Sequence, residues 1–324
     1  MSNVPYDIAF GPVPSRRLGQ SMGINNVPPR HCSLACVYCQ LGCTTHMRVT
    51  RRPWLTPEAL VAAVERRLRD AQAAGERIDY LTFVADGEPT LDSNLGREIE
   101  LLAPLGVKTA VITNATLLWR GDVREELLQA DWVSVKVDAA RERAWRRVNR
   151  PHGSLDLARL QEGISAFCAQ YHSARGSAGR LVTETMLVRG VNDSEPEIEA
   201  TAAFVGTLQP DCAYLAVPIR PPAERWVKPA DKRAIDQAYM VFASQCASVE
   251  LLVEHEQGAF ASTGCLTDDL LAILAVHPMR EEAVGELLRR AGTDWAVVPA
   301  LEARGMLIRR DYNGTTFYLR RVSE

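Results

Sequence analysis

The chain has 324 residues, 47% hydrophobic and 24% charged, with a formal net charge of −3. This is ordinary globular composition, with room for one large domain and a small one. The charge balance gives no global attraction to nucleic acid or to an acidic membrane, and no apolar run approaches the roughly 20 residues of a membrane span.

No secretory leader pattern is expected at the N-terminus. Eight cysteines, three of them clustered, suit metal binding in a reducing compartment better than a disulfide framework. The expected location is cytoplasmic.

In chain order, residues 1–31 are rich in proline and glycine and carry the basic pair Arg16-Arg17. Residues 21–25 read as a short strand feeding a cysteine-rich loop. Residues 44–56 are a polar, basic connector with Arg48, Arg51 and Arg52. A helix follows, with Thr56 as N-cap, Pro57 at its first position and Gly75 as its stop. Strands are then predicted at 80–85, 108–113, 132–138, 181–188, 213–219 and 249–254, and helices near 93–103, 122–129, 155–171, 195–207 and 231–246. Strands alternating with helices at this spacing predict a parallel sheet with crossover helices. Right-handed crossovers curl it into a full or partial barrel, with chemistry at the C-terminal strand ends. From about residue 266 three short helices precede "MLIRR" and "TFYLRR", which flank Asp311-Tyr-Asn-Gly314, a hairpin signal. That is a winged-helix pattern, and the domain boundary is placed near residue 265, giving domains 1–265 and 266–324.

The chemistry starts at Cys32-Ser-Leu-Ala-Cys36-Val-Tyr-Cys39. Three thiols within eight residues can face one metal centre only from a loop. Such clusters select iron–sulfur or zinc. His31 and Cys43 are near enough to complete a four-ligand zinc site, so both metals stay open on count.

The spacing C-x3-C-x-aromatic-C, with Tyr38 before the third cysteine, resembles the signature of radical S-adenosylmethionine (SAM) enzymes. The stretch from Phe10 to Asn25 followed by "CSLACVYCQLG" resembles a branch of iron–sulfur oxidoreductases related to the wyosine-base synthases. The resemblance implies an α/β fold, a partial (β/α)6 TIM-like barrel. It implies that Cys32, Cys36 and Cys39 hold a 4Fe-4S cluster whose fourth iron chelates SAM. Reductive cleavage of SAM then yields a 5′-deoxyadenosyl radical that abstracts hydrogen from a substrate. Cys43 is the spare thiol on this view. A second three-cysteine motif, expected of a wyosine synthase itself, is not visible.

Other positions inherit roles from the same resemblance. Asp86-Gly87-Glu88-Pro89-Thr90 resembles the Gly-Gly-Glu turn that holds the SAM amine, which assigns Gly87 and Glu88, although Asp86 replaces the first glycine. Thr113 and Asn114 stand where relatives have Thr-Asn-Gly, with Ala115 in place of glycine. Lys136 and Asp138 end the 132–138 strand. Lys136 suits a carboxylate such as that of SAM, with a structural ion pair to Asp138 or a neighbour as the alternative. Glu184, Met186 and Asn192 fall where the family contacts ribose and adenine. Tyr38 completes the cofactor set.

Residues 141–154 carry five arginines around Trp145. They read either as a phosphate or RNA contact or as a solvated helix and loop. Arg220-Pro-Pro222 could line the pocket or form a rigid turn. The third C-terminal helix is mostly apolar, and residues 266–324 hold 8 Arg against 9 Asp and Glu. That is a poor DNA reader, so a peptide-docking or lid role is expected. Cys168, Cys212, Cys246 and Cys265 read as small buried hydrophobes, with Cys265 placed to face the site.

The sequence therefore predicts a radical SAM enzyme served by a flavodoxin- or ferredoxin-like electron donor. The substrate is an RNA base, a peptide or a small metabolite. The alternative is a non-catalytic iron–sulfur or zinc redox sensor whose winged helix binds nucleic acid or protein.

Overall fold

A computed structural model describes residues 6–84, 86–254, 260 and 266–321. The expected domain boundary and Cys265 lie outside the described residues, as does Ala85 at the end of the predicted 80–85 strand.

The chain opens with β1 (Ala9–Ser15) and β2 (Gly19–Ile24), an antiparallel pair, then the short parallel pair β3 (His31–Cys32) and β4 (His46–Met47). β1 went unpredicted because prolines at 12 and 14 argue against a strand. They are tolerated because β1 is the outer strand of its sheet. α1 (Pro57–Ala73) starts as expected: the Thr56 side chain accepts from the Ala59 N–H, and Pro57 occupies the first turn. Its buried residues Leu60, Ala63, Val64, Leu68 and Ala71 form one stripe at helical spacing. Gly75, at φ 75°, supplies the left-handed stop.

Strand and helix then alternate: β5 (Tyr80–Phe83), α2 (Leu95–Leu102), β6 (Lys108–Thr113), α3 (Gly121–Leu127) and β7 (Trp132–Lys136). The arginine-rich stretch contributes α4 (Glu142–Asn149), and α5 (Leu157–Arg175) follows. β8 (Arg180–Met186), α6 (Glu195–Leu208), β9 (Cys212–Ala216), α7 (Lys232–Ala243) and β10 (Val249–Leu252) complete the run. The eight strands lie in the order β1-β2-β5-β6-β7-β8-β9-β10, parallel from β2 onward. The fold is mixed α/β with a parallel sheet, consistent with a partial TIM-like barrel.

Two apolar layers hold the sheet. The larger lies between strands and helices and includes Leu81, Phe83, Val111, Val133, Leu181, Leu60 and Ile99. Full burial of a side chain such as Phe83 stabilises by roughly 1.5–3 kcal/mol. The opposite face carries Leu18, Ala110, Trp132, Val182, Cys212 and Tyr214, which close off the N-terminal ends of the strands.

The last stretch is α8 (Leu266–Val276), β11 (Met279–Arg280), α9 (Glu281–Arg290), α10 (Val297–Ala303), β12 (Leu307–Tyr312) and β13 (Thr315–Arg320). β13 lies between β11 and β12, antiparallel to both. Asn313 and Gly314 both take positive φ, 49° and 77°, the type I′ geometry of an Asn-Gly hairpin. This segment has its own core, with Leu270, Ile273, Val284, Leu287, Leu301 and Tyr318. It also packs on the sheet: Ala272 and Val276 meet Phe10 and Val13 of β1, and Asp269 pairs with Arg67 of α1 at 2.7 Å.

Candidate functional site

The cysteine loop is fastened at both ends. Where β3 meets β4, the His31 ring stacks on His46 with centroids 4.2 Å apart. Trp54 meets His31 edge-on at 4.7 Å and carries the Arg52 guanidinium 3.7 Å above its own ring. Inside the loop, Ala35 N–H donates to Asn149 C=O (3.0 Å) and Val37 N–H to Val148 C=O (3.0 Å), so the end of α4 braces it. Cys32, Cys36 and Cys39 all line one cavity of about 380 Å³, while Cys43 is exposed.

Two asparagines address the sulfurs. Asn114 Nδ2 donates to Cys32 Sγ and Asn149 Nδ2 to Cys36 Sγ, each at 3.3 Å. Burial pushes the Cys36 thiol up to about 12 and also raises Cys32 and Cys39. Thiolates here therefore need a cation to offset their burial. As the side chains stand, no three His, Cys, Asp or Glu groups among the described residues are gathered closely enough to hold a metal ion. The donor set itself fits an iron–sulfur cluster: three thiols on one loop, facing one cavity, two of them met by amide donors that can stabilise sulfur charge.

The acidic turn stands beside it. A Cβ at Gly87 would collide with the His31 carbonyl oxygen, and the Glu88 N–H donates to that same oxygen at 2.9 Å. Glycine is needed here for close approach of two backbones. Glu88 is 2% exposed. Its carboxylate accepts from Thr90 N–H (3.1 Å), Thr90 Oγ1 (2.6 Å), Thr113 Oγ1 (2.6 Å) and Asn114 N–H (2.7 Å). Burial raises its pKa and these four donors oppose the rise. Gly87, Glu88, Thr113 and Asn114 all line the cysteine cavity.

Lys136 lines it too. Its ammonium is 2.7 Å from Glu184 and 3.8 Å from Asp138, 4.9 Å above the Tyr38 ring. The ion-pair alternative is thus realised, with Glu184 as the closer partner. Glu184 also pairs with Arg17. Burial would raise Glu184, but Lys136 and Arg17 hold it down at about 2.

Asp138 and Asn192 are drawn into the scaffold instead. The Asp138 carboxylate accepts from Tyr38 Oη, from Asn149 Nδ2 (2.6 Å) and from Met186 N–H (2.8 Å). Asn192 donates to the Asp138 and Met186 carbonyls (2.7 and 2.8 Å) and accepts from Val188 N–H (2.8 Å). Both are buried, at 3% and 2% exposure, and neither belongs to the cavity lining, whereas Tyr38, Glu184 and Met186 do.

Three contributors were not singled out from the sequence. Asn149 was hidden inside the arginine-rich stretch, Arg17 was noted only as half of a basic pair, and Gln40 follows Cys39 without a motif. Gln40 donates to the Val276 carbonyl at 2.8 Å. Arg220 reaches both Gln40 Oε1 and His277 Nε2 at 3.1 Å. Val276, His277 and Arg220 thereby join the cavity wall. Cys168 and Cys212 are buried, as expected, and Cys246 is partly so.

Residues 26–202 match the model of the radical SAM superfamily. The chain is 43% identical over 317 residues to the UPF0026 protein MJ1312 of Methanocaldococcus jannaschii, covering 97% of this chain and 96% of that one. It is 30% identical to a UPF0026 protein of Helicobacter pylori strain J99, over 86% and 87% of the two chains. Among solved structures, a radical SAM methyltransferase from Sphaerobacter thermophilus aligns with a TM-score of 0.53 at 19% identity, over 72% of this chain and 67% of that one. Streptococcus suis SuiB bound to its precursor peptide SuiA aligns at 0.52 and 13% identity, over 85% and 65%. These two likenesses establish the fold.

Proposed function

We infer the activity from one premise: the chain belongs to the radical SAM superfamily and, within it, to the UPF0026 proteins. Radical SAM chemistry follows from that membership, together with an iron–sulfur cluster and SAM as cofactors. We propose that Cys32, Cys36 and Cys39 would hold a 4Fe-4S cluster, and that Gly87, Thr113, Asn114 and Lys136 would surround SAM. When bound, these cofactors supply hydrogen-atom abstraction, with 5′-deoxyadenosine as the released product. The chain's own part is placement. Asn114 and Asn149 orient Cys32 and Cys36, the Glu88 hydrogen bonds hold the strand end at Thr113 and Asn114, and the apolar floor and the C-terminal segment exclude water.

The observation that carries this reading is that the three motif cysteines and Gly87, Glu88, Thr113, Asn114 and Lys136 line a single cavity. An electron donor of the flavodoxin or ferredoxin type completes the proposal, as does a winged-helix-like role for residues 266–324.

The test is anaerobic reconstitution followed by dithionite and SAM. Wild type should release 5′-deoxyadenosine, and a Cys36→Ala variant should bind less iron and release none. A fully loaded cluster with no SAM cleavage would overturn the enzymatic reading in favour of a redox sensor.

A further inference from the structure

The cavity has a second charged centre besides the cysteine loop. Lys136 and Glu184 are register partners on β7 and β8, and Glu184 is the partner of Tyr214 on β9. Side chains alternate along a strand, so Trp132 shares the face of Lys136, four residues back and about 13 Å deeper. Arg17 enters this interior from the β1–β2 turn. Its guanidinium lies 5.8 Å from the Trp132 ring and 5.9 Å from the Tyr214 ring, within cation–π range. One end of the cavity is therefore the cysteine loop, with Lys136 beside Tyr38, and the base is Arg17 above an aromatic floor. Glu184 bridges the two cations.

Arg17 donates to Glu184 from Nη1 alone. No other hydrogen bond or ion pair from its side chain to the described residues is found, and the side chain is only 17% exposed. A guanidinium has five donors, and no Arg17 nitrogen is among the buried atoms left without a partner, so those not spent on Glu184 stay accessible from the cavity that Arg17 lines. Arg17 and Lys136 share the lining with two carboxylates, Glu88 and Glu184. One of those carboxylates, Glu88, is already engaged by four protein donors.

The space is also limited. The cavity holds about 380 Å³. The C-terminal segment crosses beside it, through Gln40 to Val276 and through Tyr312 Oη, which donates to the Pro218 carbonyl at 3.1 Å. A small molecule fits this space as it stands.

We propose that the substrate is a small acid, bearing a carboxylate or a phosphate, whose anionic end is anchored at the base by Arg17 while its other end faces the cysteine loop. This rests on the enzymatic reading above for the word substrate, but the site is tested without turnover.

The experiment is isothermal titration of malonate and of inorganic phosphate into anaerobically reconstituted protein saturated with SAM, so that the SAM carboxylate does not compete. Wild type should bind one or both, and the preferred anion distinguishes carboxylate from phosphate. Arg17→Met, which keeps the apolar stem over Trp132, should weaken binding at least tenfold. Glu184→Gln removes the competing carboxylate and should tighten binding severalfold, a sign that a purely structural role would not give. Anion binding with no 5′-deoxyadenosine release would leave this site standing and strike only the activity. The proposal is overturned if neither anion binds folded, SAM-cleaving wild type, if Arg17→Met binds as well as wild type, or if only an RNA oligonucleotide binds.

Discussion

Asn114 joins the acidic turn to the first cysteine: its backbone N–H donates to Glu88 at 2.7 Å and its side chain donates to Cys32 Sγ at 3.3 Å. A hydrogen bond to a ligating sulfur offsets the negative charge gained on reduction. Asn114→Ala should therefore shift the midpoint potential of the reconstituted centre to more negative values. Redox titration followed by electron paramagnetic resonance reads this directly. An unchanged potential would remove Asn114 from the account of the centre.

Gly87 is the second sensitive point. A Cβ there meets backbone, the His31 carbonyl, one residue before Cys32, and backbone cannot swing aside as a side chain can. Gly87→Ala should cost about 1–3 kcal/mol of stability and lower iron content per chain, measured by denaturant unfolding and iron assay. Normal stability with full iron loading would contradict this packing.

A third prediction concerns pH. Burial, reinforced by neighbouring Asp92, pushes Glu98 well above its ordinary value of 4.5. Among the described residues its Oε2 accepts from Asn26 alone, at 3.3 Å, and Oε1 has no partner. For a carboxyl raised in the folded state, stability is fully present below the unfolded value and is lost as pH climbs toward the folded one. The slope reaches about 1.4 kcal/mol per pH unit for one proton. Glu98→Gln should flatten this decline and raise the melting temperature at pH 8 relative to wild type, with little difference near pH 4. Parallel pH profiles for the two proteins would refute it.

Asn192 gives the fourth. It closes three hydrogen bonds between the Asp138, Met186 and Val188 backbones. Asn192→Ala should destabilise by about 2–4 kcal/mol through the orphaned backbone groups. SAM affinity, measured by equilibrium dialysis on the folded fraction, should fall far less than it does for Lys136→Met. The reverse order would restore Asn192 as a cofactor ligand.

The alternation of strands and helices was readable because each element carries local signals: the Thr56-Pro57 start, the doubly buried runs at Val133 and Leu215, the Asn313-Gly314 turn. That the three thiols line one cavity was readable because eight residues of one loop carry all of them. β1 escaped because its prolines are admissible only on an outer strand, and strand position is a tertiary fact. The bonds of Asp138 and Asn192 to backbone groups were not readable, because a strand-end carboxylate and amide look the same in sequence whether they face a cavity or a backbone. Arg17 and Glu184 lie 167 residues apart, so their pairing leaves no local trace. The same holds for Gln40 and Val276.

That last pair has a practical side. The residue immediately after the third cysteine is held by the carbonyl that ends α8, so a disturbance of the tail is felt one peptide bond from Cys39. Trimming or tagging the C-terminus for expression is therefore an intervention at the wall of the cysteine cavity, and a preparation made that way reports on an altered site.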